Sequence, residues 1–366
     1  MKQLIIADVK SGINNGISCG HYFSIAQNYI DIYSNVCHVK VAGGPIYTTR
    51  FKNDSLITLP YNVKVDDTLL KRVWPILRNC RFLFKTYQSS DNIIVLQQSG
   101  TVTAFLGIAL YARQLKNIFV IVYDTDTQTS WIKRFIYKLA KKKIAGIICP
   151  YKRIGDCFNI PYCTVTDYIY PTTKSINYTD LNTKIYDFCI VGCFRPDKGV
   201  VEAIEYLRKY KCKILIAGKS DNDIQTEILR RIANESSYID LELGYLPEEK
   251  YIQYIRNSSY CLLNYKDDYE DRSSGVVLDA IFNGVPIIGR RCKALQFIET
   301  DNLGYLYDDI QSFNPNTVLN NFVYAEFQQC IKKYLQKQDV YKNKIIDFLG
   351  LKKAIKYDEN QDFDNI

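Results

Sequence analysis

Short apolar runs recur along the chain, and the segments between them carry apolar residues spaced three and four apart. The first pattern is typical of buried strands and the second of amphipathic helices. The first half predicts strands over 4–8, 36–41, 92–97, 118–123 and 144–149, with helices over 21–33, 102–114 and 130–141. Strands that alternate with helices form βαβ units, so the sequence predicts an α/β fold with parallel sheets.

The same rhythm returns in the second half, after a polar stretch over 171–184 that lacks an apolar period. It predicts strands over 186–191, 213–217, 240–243, 260–264 and 285–289, and helices over 199–209, 247–257 and 274–283. We expect a first domain over 1–172, a second over 185–340, and a helical tail over 341–366 that can pack back on the first. Two doubly wound sheets that face each other leave a cleft at the carboxyl ends of their strands, where such sheets bind ligands.

Composition excludes several classes of protein. Hydrophobic residues make up 47 % and charged residues 23 %, which are ordinary globular values and exclude a disordered, collagen-like or coiled-coil chain. No apolar run reaches the roughly 20 residues of a membrane span, and the start MKQLIIAD is typical of a strand, so we expect a cytosolic protein. The cysteines are scattered, and His21 and His38 are the only histidines, so we expect no metal.

Charge is uneven along the chain. Residues 1–172 hold 21 Lys and Arg against 10 Asp and Glu, whereas residues 173–366 hold 26 against 29. Two basic and aromatic segments stand out in the first half, over 70–85 and 131–144. Each is compatible with a core-packed helix that has a solvated basic face, but the two together favour an anionic membrane surface as partner. No nucleic-acid partner is expected, because no recognised binding motif accompanies the charge.

A first candidate anion site follows the strand at 186–191. The chain runs from Gly192 through Cys193-Phe194-Arg195-Pro196-Asp197-Lys198 into a helix at Gly199. Backbone N–H groups and the positive end of the helix would converge there, beside a guanidinium and an ammonium that both suit a diphosphate. The alternative is an exposed turn that carries solvated charges.

A second segment, residues 271–288, joins a hydroxyl-rich helix start to a buried helix and another strand. Ser273 or Ser274 can cap this helix. Asp279 lies four residues after Gly275, so its carboxylate should sit over the space left by the missing glycine side chain and could accept hydrogen bonds from two vicinal hydroxyls. The alternative, a solvated carboxylate, conflicts with the apolar neighbours of Asp279, because an idle buried carboxylate is costly.

Taken together, its motifs make the second half resemble the donor-binding domain of retaining GT-B glycosyltransferases, the family called glycosyl transferases group 1. Three features match in order: the strand and turn from Gly192 to Gly199; the segment Leu243-Gly244-Tyr245-Leu246-Pro247; and two acidic residues separated by seven others, followed by Gly-Val-Pro-Ile-Ile. The family usually has Glu at both acidic positions, where this chain has Asp271 and Asp279. The resemblance implies the GT-B fold, with two Rossmann-like domains facing across a cleft.

The resemblance also implies roles for individual residues. Lys198 would bind the donor diphosphate, and Gly192 belongs to the same donor-binding turn. Arg195 would replace an arginine that in the family usually follows this glycine directly, where this chain has Cys193. The other implied contacts are the backbone around Tyr245 and Leu246 to the nucleobase, Ser273, Ser274 and Gly275 to phosphate, Asp279 to ribose, and Asp271, with Glu270 as the alternative, to the transferred sugar. In the mechanism that the resemblance implies, the leaving diphosphate itself accepts the proton of the acceptor hydroxyl, so no residue needs to be a covalent nucleophile. No metal or other cofactor is implied.

The first half resembles the acceptor domain of the same family more faintly. A glycine-rich segment with Gly16 and Gly20 follows the first strand and ends at His21. Glycines let a substrate approach the backbone, although any βα turn can have this composition, and His21 can equally be a surface residue. Gln98 and Asp124 follow two predicted strands, at places where relatives often have histidines, and are candidates for acceptor contact. His38 is assigned no chemistry.

The resemblance therefore implies a glycosyltransferase, peripheral on the inner face of the cell membrane. It would move a sugar, with retention, from a nucleotide-sugar to a saccharide acceptor, lipid-linked, in bacterial surface polysaccharide biosynthesis such as that of capsule or lipopolysaccharide. Two alternatives stay open: a non-catalytic GT-B partner protein and a GT-B sugar-nucleotide epimerase. A dehydrogenase is disfavoured, because no G-x-G-x-x-G follows a strand with an acidic residue about twenty positions later.

Overall fold

The computed structural model describes residues 3–18, 22–52, 54–97, 102–165, 181–220, 222–266 and 274–351. In the first half the strands are β1 Gln3–Ala7, β2 Gly12–Asn14, β3 Ile17–Ser18, β4 His38–Gly43, β5 Leu56–Thr58, β6 Val63–Lys64, β7 Asn92–Leu96, β8 Ile118–Ile121, β9 Ile144–Cys149 and β10 Tyr162–Thr164. The helices are α1 Tyr22–Tyr33, α2 Leu69–Tyr87, α3 Val102–Tyr111, α4 Trp131–Lys141 and α5 Lys152–Phe158.

Seven of these strands form a parallel sheet in the order β10-β9-β8-β7-β1-β4-β5. Alternate residues of its strands face opposite sides. One side packs against α2, α3, α4 and α5, and the other against α1. The strand order reverses between β1 and β7, so the ligand crevice of this sheet is expected at the carboxyl ends of those two strands.

The second half builds a six-stranded parallel sheet in the order β13-β12-β11-β14-β15-β16. Its strands are β11 Tyr186–Phe194, β12 Ile214–Ser220, β13 Ile239–Leu243, β14 Ser258–Leu263, β15 Ile287–Arg290 and β16 Gly304–Tyr307. Its helices are α6 Val200–Leu207, α7 Asp223–Asn234, α8 Glu248–Arg256, α9 Gly275–Phe282, α10 Gln296–Thr300, α11 Asn321–Gln336 and α12 Gln338–Leu349. The order reverses between β11 and β14, the two strands that lead into the two candidate anion-binding segments.

The final helix of the described chain, α12, leaves the second domain and packs on the first. Ile345 and Leu349 are buried against the face of the first sheet that α1 also covers. The Phe348 ring lies 5.3 Å, centre to centre, from Phe119 of β8, and it fills the space beside Gly146 of β9. The two domains thus share a helix that comes from the end of the chain.

The observed elements differ from the predicted ones mainly in short strands and in helices that carry many charges. No helix was predicted between 217 and 240, where α7 lies, although Asn222 caps α7 by accepting hydrogen bonds from the N–H groups of Ile224 and Gln225. Helix α3 ends at Tyr111, before the predicted 114, and α4 begins at Trp131 after the cap Ser130. Such ends depend on contacts that the local apolar pattern does not encode.

Candidate functional site

At the reversal point of the second sheet, β11 ends in a tight turn. Residues Pro196–Lys198 form a single 3-10 turn, and Gly199 closes it with a φ of 54°. A Cβ on Gly199 would lie 2.4 Å from the carbonyl oxygen of Asn264, so the position requires glycine. The Asn264 side chain donates to the Gly199 carbonyl at 3.0 Å, which fixes the turn to the end of β14.

Lys198 lies half-buried in this turn. Its Nζ is 5.9 Å from the centre of the Tyr265 ring. Burial, followed by the neighbouring Arg195 guanidinium, lowers the pKa of Lys198 to about 8. Arg195 itself donates from Nε to the Asp197 carboxylate at 3.1 Å. The turn therefore holds an ammonium whose charge is incompletely stabilised by its surroundings, which is the electrostatic condition that favours an incoming anion.

The start of α9 meets the turn through Tyr265. The Tyr265 hydroxyl and the Ser274 Oγ are 2.6 Å apart. A Cβ placed on Gly192 would be 3.3 Å from Val276 of the first turn of α9, so the end of β11 and this helix are in contact. The turn at 195–198 and the first turn of α9 therefore lie together at one point of the sheet, on either side of Tyr265.

The capping prediction is wrong for Ser274. This residue occupies the N-cap position of α9, but its side chain accepts no hydrogen bond from the helix N–H groups. Its hydroxyl pairs with Tyr265 instead, and it lies next to Gly275, the first residue of the helix. The competing partner comes from the end of β14, a contact that local sequence does not specify. Ser273, the other candidate cap, lies outside the described residues.

Asp279 is buried in α9 with 2 % of its surface exposed. Its Oδ2 accepts a hydrogen bond from the Tyr251 hydroxyl of α8 at 2.9 Å. The prediction that α9 is a buried helix is confirmed. The argument that the Asp279 carboxylate would have no partner without a ligand is wrong, because Tyr251 is its partner. A ribose contact of Asp279 stays a prediction.

Beyond β11, the ends of β12 and β13 bring Lys219 and Tyr245 together. The Lys219 Nζ lies 4.7 Å from the centre of the Tyr245 ring and 3.2 Å from its hydroxyl oxygen. It also lies 3.7 Å from the Asp66 carboxylate of the first domain, so this corner of the site links the two domains. Leu246, in the segment of the predicted nucleobase contact, is partly buried and packs against the core of the second domain. Lys219 was not among the predicted site residues.

The first sheet presents a buried carboxylate at its own reversal point. Asp8 follows β1 and accepts hydrogen bonds from the Ser11 N–H at 2.9 Å and the Tyr47 hydroxyl at 2.9 Å. Burial raises the pKa of Asp8, although these donors oppose the shift. Asp8 thereby holds the loop after β1 against the segment around Tyr47. The signal in the sequence that could have indicated Asp8 is its place directly after a run of apolar strand residues.

Gln97, at the end of β7 and next to Asp8 in the sheet order, is fully buried. In the part of the chain that the structure describes, neither its Oε1 nor its Nε2 has a hydrogen-bond partner. Burying an amide without hydrogen bonds costs free energy, which makes Gln97 a candidate for ligand contact. The residue predicted from the sequence was its neighbour, Gln98.

Gly16 lies at the tip of a hairpin. Strands β2 and β3 are antiparallel, and Asn15 and Gly16 between them have φ values of 47° and 77°. Asn-Gly is the preferred pair for such a two-residue turn, so the hairpin could have been predicted. Apart from its chain neighbours, none of the described residues lies within 4 Å of a Cβ built on Gly16, which leaves its backbone open to approach. After β8, two strands from β1 in the sheet order, the Asp124 side chain accepts a hydrogen bond from the Asp126 N–H at 2.9 Å and orders a turn before α4.

Several predicted site residues fall outside the described part of the chain. They are Gly20, His21, Gln98, Glu270, Asp271 and Ser273. The predicted contacts of Asp271 with the sugar and of Gln98 with the acceptor stay predictions. Among the residues that the structure describes, no group of three His, Cys, Asp or Glu side chains could hold a metal ion, and no helix is long and apolar enough to cross a membrane.

A cavity of about 270 Å³ lies between the two domains beside Ser274. Tyr151 and Val165 of the first domain, Leu278 of α9 and Tyr341 of α12 contribute to its wall. The start of α9 therefore faces the turn at 195–198 on one side and an interdomain space on the other.

No protein-family model matches the chain, and no curated protein matches it in sequence. Solved structures match it in fold. AviGT4, a glycosyltransferase involved in avilamycin A biosynthesis, is 11 % identical, with a TM-score of 0.63 over 96 % of this chain and 98 % of that one. Anabaena Alr3699/HepE in complex with UDP-glucose is 12 % identical, with a TM-score of 0.62 over 96 % of this chain and 100 % of that one.

A UDP-forming α,α-trehalose-phosphate synthase from Burkholderia xenovorans, in complex with glucose-6-phosphate, is 10 % identical, with a TM-score of 0.64 over 96 % of this chain and 100 % of that one. These likenesses extend over both domains. The GT-B fold that the resemblance implied, two Rossmann-like domains facing across a cleft, is confirmed.

Proposed function

From its GT-B fold, we propose that the chain is a glycosyltransferase that uses a nucleotide-diphosphate sugar. The observation that carries this proposal is the meeting of the Lys198 turn and the start of α9 around Tyr265, at the reversal point of the second sheet. A half-buried ammonium and a helix N-terminus on two sides of one point form a site for a diphosphate. The likeness to proteins solved with UDP-glucose and with UDP supports the same class of ligand.

Transfer would proceed by stabilisation of the leaving diphosphate. Lys198, with Arg195 beside it, and the first N–H groups of α9 would hold the negative charge that develops as the bond between the anomeric carbon and the diphosphate oxygen breaks. The oxygen of the acceptor hydroxyl would form the new bond to the anomeric carbon. The leaving phosphate oxygen would take the proton of the acceptor hydroxyl on the same face of the sugar. Retention of configuration follows from that geometry, and Asp271 would position the sugar.

We place the acceptor against the first domain. The open backbone at Gly16 and the unpaired amide of Gln97 lie on that side, and the excess of Lys and Arg in residues 1–172 suits an anionic, lipid-linked saccharide. A role in bacterial surface polysaccharide biosynthesis, on the inner face of the cell membrane, is part of the proposal.

The experiment has two stages. Calorimetry with UDP, GDP, ADP and dTDP identifies the base, and we expect one of them to bind. The matching nucleotide-sugars are then incubated with the protein and a membrane-lipid extract of the source cells, and product is followed by mass spectrometry and its anomeric configuration by NMR. Transfer with an inverted anomeric centre would overturn retention, and absence of diphosphate binding would overturn the whole proposal.

One observation favours a second candidate, a non-catalytic GT-B partner protein. The Asp279 carboxylate is almost fully buried and already bonded to Tyr251, and both acidic positions are shortened relative to the family pattern. Such a protein would bind none of the four nucleotides. Incubation of each nucleotide-sugar without acceptor tests the epimerase alternative, because an epimerase would change the donor alone.

The pKa of Lys198 predicts how nucleotide binding depends on pH. A bound diphosphate raises the pKa of a neighbouring ammonium, so binding takes up a proton wherever the free lysine is deprotonated. In the protein without nucleotide the pKa of Lys198 is about 8. The affinity for the nucleotide should therefore be constant below pH 8 and should fall about tenfold for each pH unit above it. Calorimetry across this range measures the slope.

The matched control is Lys198→Arg, which keeps its charge throughout this range and corrects for titration of the nucleotide itself. Its affinity should stay nearly level above pH 8. Equal slopes in the two proteins would mean that the lysine does not titrate against the ligand.

A further inference from the structure

Helices α2, α3 and α4 lie side by side on one face of the first sheet. Their inward residues share one core with that sheet, including Phe84 of α2, Phe105 of α3 and Tyr137 of α4. None of the three helices contains an aspartate or glutamate. Their outward surface is therefore free of negative side chains along its whole width.

This outward surface is both apolar and basic. Leu70 is 83 % exposed and Trp131 72 % exposed, although both are large hydrophobic residues. The other large apolar side chains exposed on these helices are Leu69, Trp74, Leu110, Ile132, Phe135 and Leu139. Exposed cations surround them: Lys71, Arg78, Arg81, Lys85, Arg134, Lys138 and Lys142. The core-packed alternative for the 131–144 segment is thus wrong for Ile132, Phe135 and Leu139, and correct for Tyr137 and Ala140.

The most exposed apolar residues of α2 and α4 lie in the first turns of each helix, and Leu139 alone lies near the end of α4. Helix α2 is followed by β7 and helix α4 by β9, so both helices end at the edge where the parallel strands begin. Their first turns therefore lie at the opposite edge, which borders the cleft. Leu69, Leu70 and Trp74 occupy the first turns of α2, and Trp131, Ile132 and Phe135 those of α4. More distant turns of α2 carry exposed Arg81 and Lys85.

Near these helix starts, residues 64–78 and 124–138 hold seven Lys and Arg against four Asp, and two of these aspartates pair with a lysine. Asp126 forms an ion pair with Lys133 at 2.8 Å, and Asp66 lies 3.7 Å from Lys219. Asp124 accepts a backbone N–H of its own turn. The net charge presented beside the apolar residues is therefore positive.

We infer that the cleft-side ends of α2 and α4 insert into an anionic lipid bilayer, with the cations of the same face on the headgroups. Apolar side chains ringed by Lys and Arg match the boundary between acyl chains and anionic headgroups, whereas a protein interface buries few lysines. The inference deepens the proposed function, on which it rests: the cleft would open next to the membrane, where a lipid-linked acceptor emerges.

The only two tryptophans of the chain, Trp74 and Trp131, lie on this surface and serve as internal probes. The protein is mixed with phosphatidylcholine vesicles, with or without phosphatidylglycerol, some carrying brominated acyl chains. We expect binding only to vesicles with phosphatidylglycerol, weaker at higher salt, and quenching of both tryptophans by the bromines. Trp74→Phe and Trp131→Phe each leave one reporter and show whether both helices insert.

Two variants test the chemistry of the surface. Arg134→Glu with Lys138→Glu should weaken vesicle binding at least about tenfold, because each cation near an anionic surface contributes to binding. Phe135→Ser should weaken binding without changing its salt dependence. Ile224→Ser and Arg230→Glu with Arg231→Glu, on the exposed face of α7 in the second domain, are the matched controls and should bind as the unmodified chain does.

Three outcomes would overturn the inference: equal binding to neutral vesicles, no quenching of either tryptophan, or sedimentation showing that this face joins two copies of the chain and that lipid does not bind. Nucleotide binding by calorimetry is measured on the same samples. Loss of lipid binding with intact nucleotide binding rejects the membrane inference alone, and the reverse result rejects the proposed function alone.

Discussion

Replacing Lys198 with alanine should lower sugar transfer by about 10²- to 10³-fold, the loss typical when one preorganised group that stabilises developing charge is removed. The ammonium lies half-buried beside Tyr265, at the point where the turn and the start of α9 meet. Burial and the Arg195 guanidinium lower the pKa of Lys198, and a diphosphate would reverse that penalty. The change should appear in kcat/KM and in nucleotide affinity measured by calorimetry.

The control for this prediction is Lys213→Ala. Lys213 precedes β12 at the opposite edge of the same sheet, so its removal takes away the same charge far from the site. We expect full transfer activity in that variant, and similar thermal unfolding in both. Lys198→Arg should recover part of the activity, because it restores charge with a different shape. Near-normal turnover in Lys198→Ala would refute a diphosphate site at this turn.

Asp279 gives the second large effect. If its carboxylate binds two ribose hydroxyls, Asp279→Ala should weaken nucleotide binding about 10²- to 10⁴-fold, since each hydrogen bond to a charged group contributes about 1.5–3 kcal/mol. Alanine would also leave the buried Tyr251 hydroxyl without its partner, at a cost in stability. Asp279→Asn is therefore the cleaner variant, because its amide oxygen can still accept from Tyr251.

A matched variant separates the two roles of Asp279. Tyr251→Phe removes the hydrogen bond to Asp279 but keeps the carboxylate. We expect nucleotide affinity close to normal in Tyr251→Phe and strongly reduced in Asp279→Asn. If the nucleotide that binds is UDP, GDP or ADP, the unmodified chain should also prefer it over its 2′-deoxy form, and Asp279→Asn should lose that preference. If Tyr251→Phe loses this preference as well, Asp279 does not bind the ribose and only positions α8 through Tyr251.

The elements that the sequence predicted well are those encoded locally. The apolar run before Gly192 and the helix after Gly275 each carry their own strand or helix pattern, and both were placed within a few residues. Because parallel strands end at one edge of a sheet, the two flanking loops could be expected to meet. The reversal between β11 and β14 supplies that meeting point.

What the sequence did not predict depends on contacts between distant segments. Tyr251 and Tyr265 decide what Asp279 and Ser274 bond to, and neither tyrosine carries a local signal for that role. Lys219 is recognised as part of the site only in the folded chain, where Tyr245 and Asp66 lie next to it. The exposure of Trp131 on α4 likewise follows from which helix face the sheet covers, whereas its amphipathic pattern alone fits a buried or an exposed stripe.

The return of α12 to the first sheet has a consequence for chimeric proteins. A chimera that joins the first half of this chain to the second half of another protein of the same fold would be cut between the two domains. Here that cut would replace Ile345, Phe348 and Leu349, whose side chains complete the apolar face formed by Phe119 and its neighbours in the first half. A foreign helix would meet that face with the wrong shape. Swaps in this protein should therefore exchange only residues 185–336, and keep the native terminal helix with the half that it covers.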